Sequence, residues 1–303
     1  MHILLIFLDG IGLGDDNLET NPFAVANTPV LHSLAGGKRW LRATGYQEGE
    51  RAVLVPTDAG LGVTGRPQSG TGHAVILTGR NIPKLIGRHY GPKPNPEIRA
   101  FIAEDNFFKQ VRAKGKSAAL INAYPPRLLY DIERGKTLRT GIQQAAHEAG
   151  LPMSDVATLY SGDTLSEDWT GQGWRKHLGY SDTPVYAPYE AGKRMVEIAR
   201  RTNFAMFSHW MTDIVGHRGT LDQAVSLLET FDAVMAGALD TWDDDQGLMI
   251  ITSDHGNMEA MDHGKHTENP VPTVIIGAKR QAFAAGLTDL MGLVPRMGQM
   301  LFE

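Results

Sequence analysis

Short apolar runs recur at residues 3–8, 117–121, 203–207, 248–252 and 273–276, and their length marks them as buried strands rather than helices. Between them lie longer segments whose apolar residues return every three or four positions: 107–113, 140–149, 187–200, 221–242 and 287–302. In 221–242 the residues Val225, Leu228, Phe231, Val234 and Leu239 keep close to the helical period, as on a helix with one face to cover. Strands alternating with helices predict an α/β fold with a largely parallel sheet, because parallel neighbours need crossover connections.

The pattern weakens between residues 89 and 200, where Pro92, Pro94, Pro96, Pro125, Pro126, Pro152, Pro184 and Pro188 punctuate the chain. We read 89–200 as an inserted cap or substrate domain, and 1–88 with 201–303 as one discontinuous core. A length of 303 residues suits a large domain or a core carrying such an insert, and 42% hydrophobic with 21% charged residues is ordinary for a globular protein. The formal charge of −5 argues against nucleic acid as a partner, since neutralising phosphates needs a clustered cationic excess. With no cysteine there is no disulfide framework and no thiolate site, so any metal must be held by histidine and carboxylate. The first apolar run lacks a basic flank and a cleavage site, and no run approaches the roughly 20 residues that span a bilayer. The expectation is a cytoplasmic protein without a membrane partner.

Candidate chemistry gathers where strands end. Asp9-Gly10 follows the first strand and would project at the carboxyl edge of the sheet, where open α/β folds place ligands, although a strand-end Asp-Gly is also a common turn. Ser69-Gly-Thr-Gly-His73 precedes a helix-like stretch, so Ser69 is either a nucleophile at an anion-attracting helix N-terminus or a cap. Asp213 and His217 stand four apart, on one face if the segment is helical and still close if it is a tight loop, as a shared ligand pair or an ordinary Asp-His pair before the helix at 221. Asp254 and His255 leave the strand 248–252, and His266 follows before the next strand. Five of the 11 histidines fall between His209 and His266, which shifts the balance from packing toward metal binding. Asp9, Asp213 and Asp254 with His217, His255 and His266, and Ser69 as an oxygen ligand, make an inventory for two divalent ions. Such a pair, about 4 Å apart, can neutralise a phosphate and activate the attacking oxygen. Mixed oxygen and nitrogen ligands suit Mn2+ or Zn2+ better than calcium.

These motifs, taken in order with Asn27-Thr28-Pro29 and His266-Thr-x-Asn-Pro-Val-Pro272, resemble the alkaline phosphatase superfamily, and within it the branch of cofactor-independent phosphoglycerate mutase and phosphopentomutase. The resemblance covers about 1–88 and 201–303. It implies a three-layer core with a mostly parallel sheet and a small cap. It also implies Asp213, His217 and His266 at one metal, and Asp9, Asp254, His255 and Ser69 at the other, with Ser69 transiently phosphorylated. The implied activity is a phosphomonoester hydrolase or phosphomutase acting on a small phosphorylated metabolite.

Phosphoglycerate mutases of that branch carry a much larger insert, so selection of substrate is expected to rest on residues particular to this chain. Asn122 and Arg127 flank a rigid proline turn, and Arg88 and Lys136 are further candidates to bind substrate. A sulfatase of the same superfamily is the enzymatic alternative, but its nucleophile lies in a Cys/Ser-x-Pro-x-Arg context that Ser69 lacks. A non-catalytic metal-binding protein is the alternative from another class.

Overall fold

The structure, a computed structural model, describes residues 1–303. Seven strands form one sheet: β1 (His2–Leu8), β2 (Gln47–Glu48), β3 (Ala52–Thr57), β4 (Ala118–Leu120), β5 (Phe204–His209), β6 (Gly247–Thr252) and β7 (Val271–Ile276). Their spatial order is β2-β3-β7-β6-β1-β5-β4. The run β6-β1-β5-β4 is parallel, with Ile3 opposite both Phe204 and Leu248, while β7, β3 and β2 are joined antiparallel on the other side.

The strand period builds two cores from one sheet. Ile3, Leu5 and Phe7 of β1 enter one cluster with Phe204, Met206, Leu248 and Ile250, whereas Leu4, Ile6 and Leu8 enter the other with Ala205, Phe207, Met249 and Ile251. A sheet buried on both faces needs helices on both, which is why its central strands read as continuous apolar runs rather than alternating ones. The first face is covered by α1 (Ser69–Thr78), α2 (Pro96–Glu104), α3 (Phe107–Ala113), then, beyond α4 (Pro126–Glu133), by α5 (Gly141–Glu148). After α6 (Gln172–Leu178), the second face takes α7 (Pro188–Ala199) and, beyond α8 (Met211–Arg218), α9 (Leu221–Thr241). Helix α10 (Leu293–Phe302) closes the first face. No helix is long and apolar enough to cross a membrane.

Residues 89–200, read from the sequence as a cap, are distributed through this architecture. They supply β4 to the sheet edge, Ile98, Ile102, Phe107, Phe108 and Ile142 to the first core, and Met195 and Val196 to the second. Several prolines that looked like domain punctuation start helices instead: Pro96, Pro126 and Pro188 open α2, α4 and α7, where a missing N–H costs nothing.

Candidate metal centre

Strand order brings the chemistry together. Because β6, β1 and β5 are adjacent and parallel, their carboxyl ends lie side by side, and each is followed at once by a candidate ligand. Asp9 follows β1, Asp254 and His255 follow β6, and Asp213 sits in the first turn of α8, just past β5. Strand β7 runs the other way, so the segment leading into it, which carries His266, arrives at the same edge.

The first group is Asp213, His217 and His266, whose ligand atoms lie within 4.8 Å of one another. His217 Nε2 is 3.4 Å from Asp213 Oδ2, and His266 Nε2 is 3.6 Å from Asp213 Oδ1. Both rings donate from Nδ1 to a carbonyl, His217 to Gly264 at 2.7 Å and His266 to Pro67 at 2.8 Å. A carbonyl only accepts, so Nδ1 carries the proton and, in a neutral ring, Nε2 presents a lone pair. The two Nε2 atoms nevertheless face each other at 3.1 Å. Two lone pairs at that distance beside a carboxylate repel unless a cation lies among them, which is the behaviour of a metal-ligand pair.

The second group surrounds Asp9 and Asp254. His255 Nε2 is 3.4 Å from both Asp9 Oδ1 and Asp254 Oδ2, and 3.0 Å from Ser69 Oγ. His73 Nε2 is also 3.4 Å from Asp9 Oδ2 and from Asp254 Oδ2. The buried atoms Asp9 Oδ1, Asp254 Oδ2 and both ring nitrogens of His73 have no hydrogen-bond partner, so the donor set fits a divalent cation. Burial, with Asp9 and Asp213 nearby, pushes the Asp254 carboxyl well above its ordinary value, and burial with Asp9 raises Asp213. Burial also works to raise Asp9, but the imidazoles of His73 and His255 close beside it outweigh burial and hold it low. Three converging carboxylates with few compensating hydrogen bonds are costly to ionise without a cation.

Ser69, His73, Asp9, Asp213, His217, Asp254, His255 and His266 thus share one locus. His73 was not among the sequence-derived ligands, although its spacing from Ser69 held the signal: four residues apart on a helix is one face. Helix α1 can approach because Gly72 has no side chain; a Cβ there would lie 2.7 Å from Cβ of Asp254. Gly10, at φ +71°, turns the chain so tightly after Asp9 that a Cβ would meet Asp213 Oδ1 at 2.7 Å.

A buried carboxylate outside the group holds its loops in place. Glu259 accepts from the backbone N–H of Gly12 at 2.9 Å and of Asn257 at 2.7 Å, from Asn269 Nδ2 at 2.9 Å, and from the Thr267 hydroxyl. Asn257 in turn donates to Asp213 Oδ1 at 2.7 Å. Glu259→Ala would leave four donors unpaired in the interior, and is expected to lower unfolding free energy by about 3 kcal/mol, read from urea denaturation, with weakened metal binding.

The sequence-derived substrate residues stand elsewhere. Asn122 is fully buried and continues the β4–β5 ladder, donating from Nδ2 to the Ser208 carbonyl and accepting the Ser208 N–H, both at 2.8 Å, so its amide is occupied by structure. Arg127 and Lys136 both pair with Asp131, and Arg88 lies by the Tyr90 ring; none belongs to the ligand groups. Those candidates came from 89–200 alone, whereas Arg42 and Arg66, outside that segment, line a cleft of about 410 Å³ that also contains His266.

Behind α8 lies a second buried pair. Glu167 Oε1 accepts the N–H groups of Trp210 and Met211, each at 3.0 Å, where α8 begins. His209 Nδ1 donates to the Glu167 carbonyl at 2.9 Å and its ring stacks on Trp169 at 3.8 Å. Burial pushes Glu167 up to about 8, and burial pulls His209 down to about 4. A carboxyl whose folded pKa is raised contributes stability below its unfolded value and loses it as pH rises through the folded one. Glu167→Gln is therefore expected to gain stability relative to the parent as pH rises from about 4.5 to about 8. The gain has an upper bound of about 5 kcal/mol, read as the difference between two urea series across pH.

Comparison with known proteins agrees with this geometry. The profile of the Metalloenzyme superfamily matches residues 1–295. The 2,3-bisphosphoglycerate-independent phosphoglycerate mutase of Methylobacillus flagellatus is 31% identical over 131 residues, 40% of this chain and 25% of its own length. The enzyme of that name from Chromohalobacter salexigens is 24% identical over 236 residues, 68% of this chain and 44% of its own. The chain thus spans a quarter to less than half of these relatives. Among solved structures, the PH0037 protein of Pyrococcus horikoshii superposes with a TM-score of 0.59 at 18% identity, covering 99% of this chain and 96% of that one. Alkaline phosphatase from the Antarctic bacterium TAB5 gives 0.54 at 11% identity, covering 99% and 97%, so the fold is alkaline phosphatase-like. Matched from residue 1 to 295, with its histidines and carboxylates gathered at one sheet edge, the chain belongs to the Metalloenzyme superfamily.

Proposed function

We propose that this protein is a phosphoryl-transfer enzyme, a phosphomonoester hydrolase or phosphomutase, that works through Ser69 on a small phosphorylated metabolite. One observation carries the reading. Ser69 is the first residue of α1, the backbone N–H groups of Ser69 and Gly70 make no hydrogen bond within the protein, and Ser69 Oγ lies 3.0 Å from His255 Nε2 of the second ligand group. A hydroxyl, free amides and a helix N-terminus at one point form a seat for a phosphate with a nucleophile in it.

In the proposed assignment Asp213, His217 and His266 hold one divalent ion, and Asp9, Asp254, His255 and Ser69 hold the other, with His73 beside them. When bound, such ions, Mn2+ or Zn2+, neutralise phosphate charge and favour ionisation of a nearby hydroxyl. The protein's own part is to hold Ser69 in line and to offer the α1 amides to the phosphoryl oxygens. The Oγ–phosphorus bond forms as the ester bond breaks, the Ser69 proton leaving with the departing alcohol; a water or a substrate hydroxyl then takes the phosphoryl group from Ser69 and gives up its own proton, restoring the hydroxyl.

The cleft beside His266 supplies a binder for the substrate. Arg42 pairs with Asp15 and Asn269, whereas Arg66 is exposed and has no acidic partner. A free guanidinium beside a phosphate seat binds the anionic end of a substrate. Arg66→Ala is expected to raise KM about tenfold with kcat nearly unchanged, as a rim contact made equally in ground and transition states would. The reading as a whole is tested with metal-stripped protein, resupplied with Mn2+ or Zn2+, on a panel of phosphomonoesters including an aryl phosphate. Metal-dependent phosphate release supports it. Metal-loaded protein that neither releases nor moves phosphate on any ester would favour a non-catalytic metal-binding role.

A further inference from the structure

A cavity of about 800 Å³ is not lined by any residue of the two ligand groups. It lies between α4, α6, α8 and α9, on the back of the helix that carries Asp213 and His217. Met211, Ile214, Val215 and Arg218 face the cavity, the i, i+3, i+4, i+7 stripe of α8, while Asp213 and His217 occupy the other face. The two sites are therefore separated by the thickness of one helix.

Its chemistry is graded from floor to rim. At the floor His209 is fully buried, and the two carboxyl groups of the lining are occupied by backbone, Glu167 by the N–H groups of Trp210 and Met211 and Asp168 by those of Gly171 and Gly173. The walls are apolar, from Leu128, Trp174 and Leu227. At the rim Lys176, His177 and Arg218 are exposed and form no ion pair with a carboxylate. A volume of this size, apolar walls and a few convergent polar groups are the features of small-molecule sites.

We propose that this cavity is a ligand site separate from the metal centre, taking a small amphipathic anion. Its apolar body lies between Leu128, Trp174 and Leu227, and its carboxylate or sulfonate meets Lys176 and Arg218. The apolar walls call for an apolar body, and the cationic rim for an anion. Nothing in the proposal depends on phosphoryl transfer, so it stands or falls apart from the function proposed above.

The test is a fluorescence titration of the full chain, loaded with Mn2+, with 8-anilinonaphthalene-1-sulfonate, which combines apolar rings, an N–H donor and a sulfonate. One saturable equivalent is expected, with affinity unchanged by saturating inorganic phosphate. Ser226→Trp, which fills the mouth from an exposed position of α9, and Arg218→Glu, which reverses the rim charge, should each weaken binding at least tenfold. Both residues are exposed, and circular dichroism checks that the variants fold. Parent-like affinity in both variants, displacement of the dye by phosphate, or binding without saturation overturns the proposal.

Discussion

Ser69→Ala is expected to lower kcat/KM on any phosphomonoester the protein turns over by at least about 10⁴-fold, roughly 5 kcal/mol of transition-state stabilisation. The substitution removes one oxygen and adds no bulk. It removes the side chain that brings the first residue of α1 to the second ligand group, the hydroxyl 3.0 Å from His255 Nε2. The α1 amides and the other candidate ligands remain, so metal content at saturating Mn2+ is expected to stay close to that of the parent. Measuring metal and turnover on the same sample separates loss of the nucleophile from loss of the metal. Acid quench of the parent with radiolabelled substrate should also trap label on Ser69, because a phosphoserine ester survives acid. Near-normal turnover by metal-loaded Ser69→Ala would eliminate the covalent route and leave a directly activated water.

His266→Ala is expected to have the next largest effect, a loss of at least about 10³-fold in activity together with one equivalent of bound metal. This ring does three things at once. Its Nε2 faces His217 Nε2 at 3.1 Å and Asp213 at 3.6 Å, its Nδ1 is anchored on the Pro67 carbonyl, two residues before Ser69, and it stacks on His255 at 3.7 Å. Removing it takes a ligand from the first group, releases the turn that presents Ser69, and uncovers one face of His255 in the second. Elemental analysis after equilibrium dialysis gives the stoichiometry. A variant that keeps all its metal and its activity would exclude Asp213, His217 and His266 as a binding group, and with it the two-ion assignment.

Much of the frame was legible in the residue pattern because strand and helix periods are local. The run 3–8 is the inner part of β1, and 221–242 is α9 to within a residue at its end. Strand β3 escaped notice because Pro56 interrupts it; the residue opposite is Pro272, so both missing N–H groups fall at one rung of the ladder. Helix α1 gave a weak helical signal because all ten of its residues are buried, which leaves no polar face to define a period. The prolines of 89–200 misled for a related reason. A proline breaks a pattern whether it ends a domain or begins a helix, and only packing tells the two apart.

The site divides along the same line. Asp9, Asp213 and Asp254 could be read as strand-end or helix-start carboxylates from the residues that precede them, and the clustering of histidines near the C-terminal half pointed to metal. Tertiary structure alone decided that the Asn122 amide is bound to the backbone of β5, that His73 stands between Asp9 and Asp254, and that Arg66 rather than the arginines of 89–200 shares a cleft with His266. The physical reason is range. Propensity and period act over a few residues and place a side chain at a strand end or on a helix face, but which ends become neighbours follows from strand order. Here that order sets β1 between β5 and β6, and it results from burying two faces of one sheet at once.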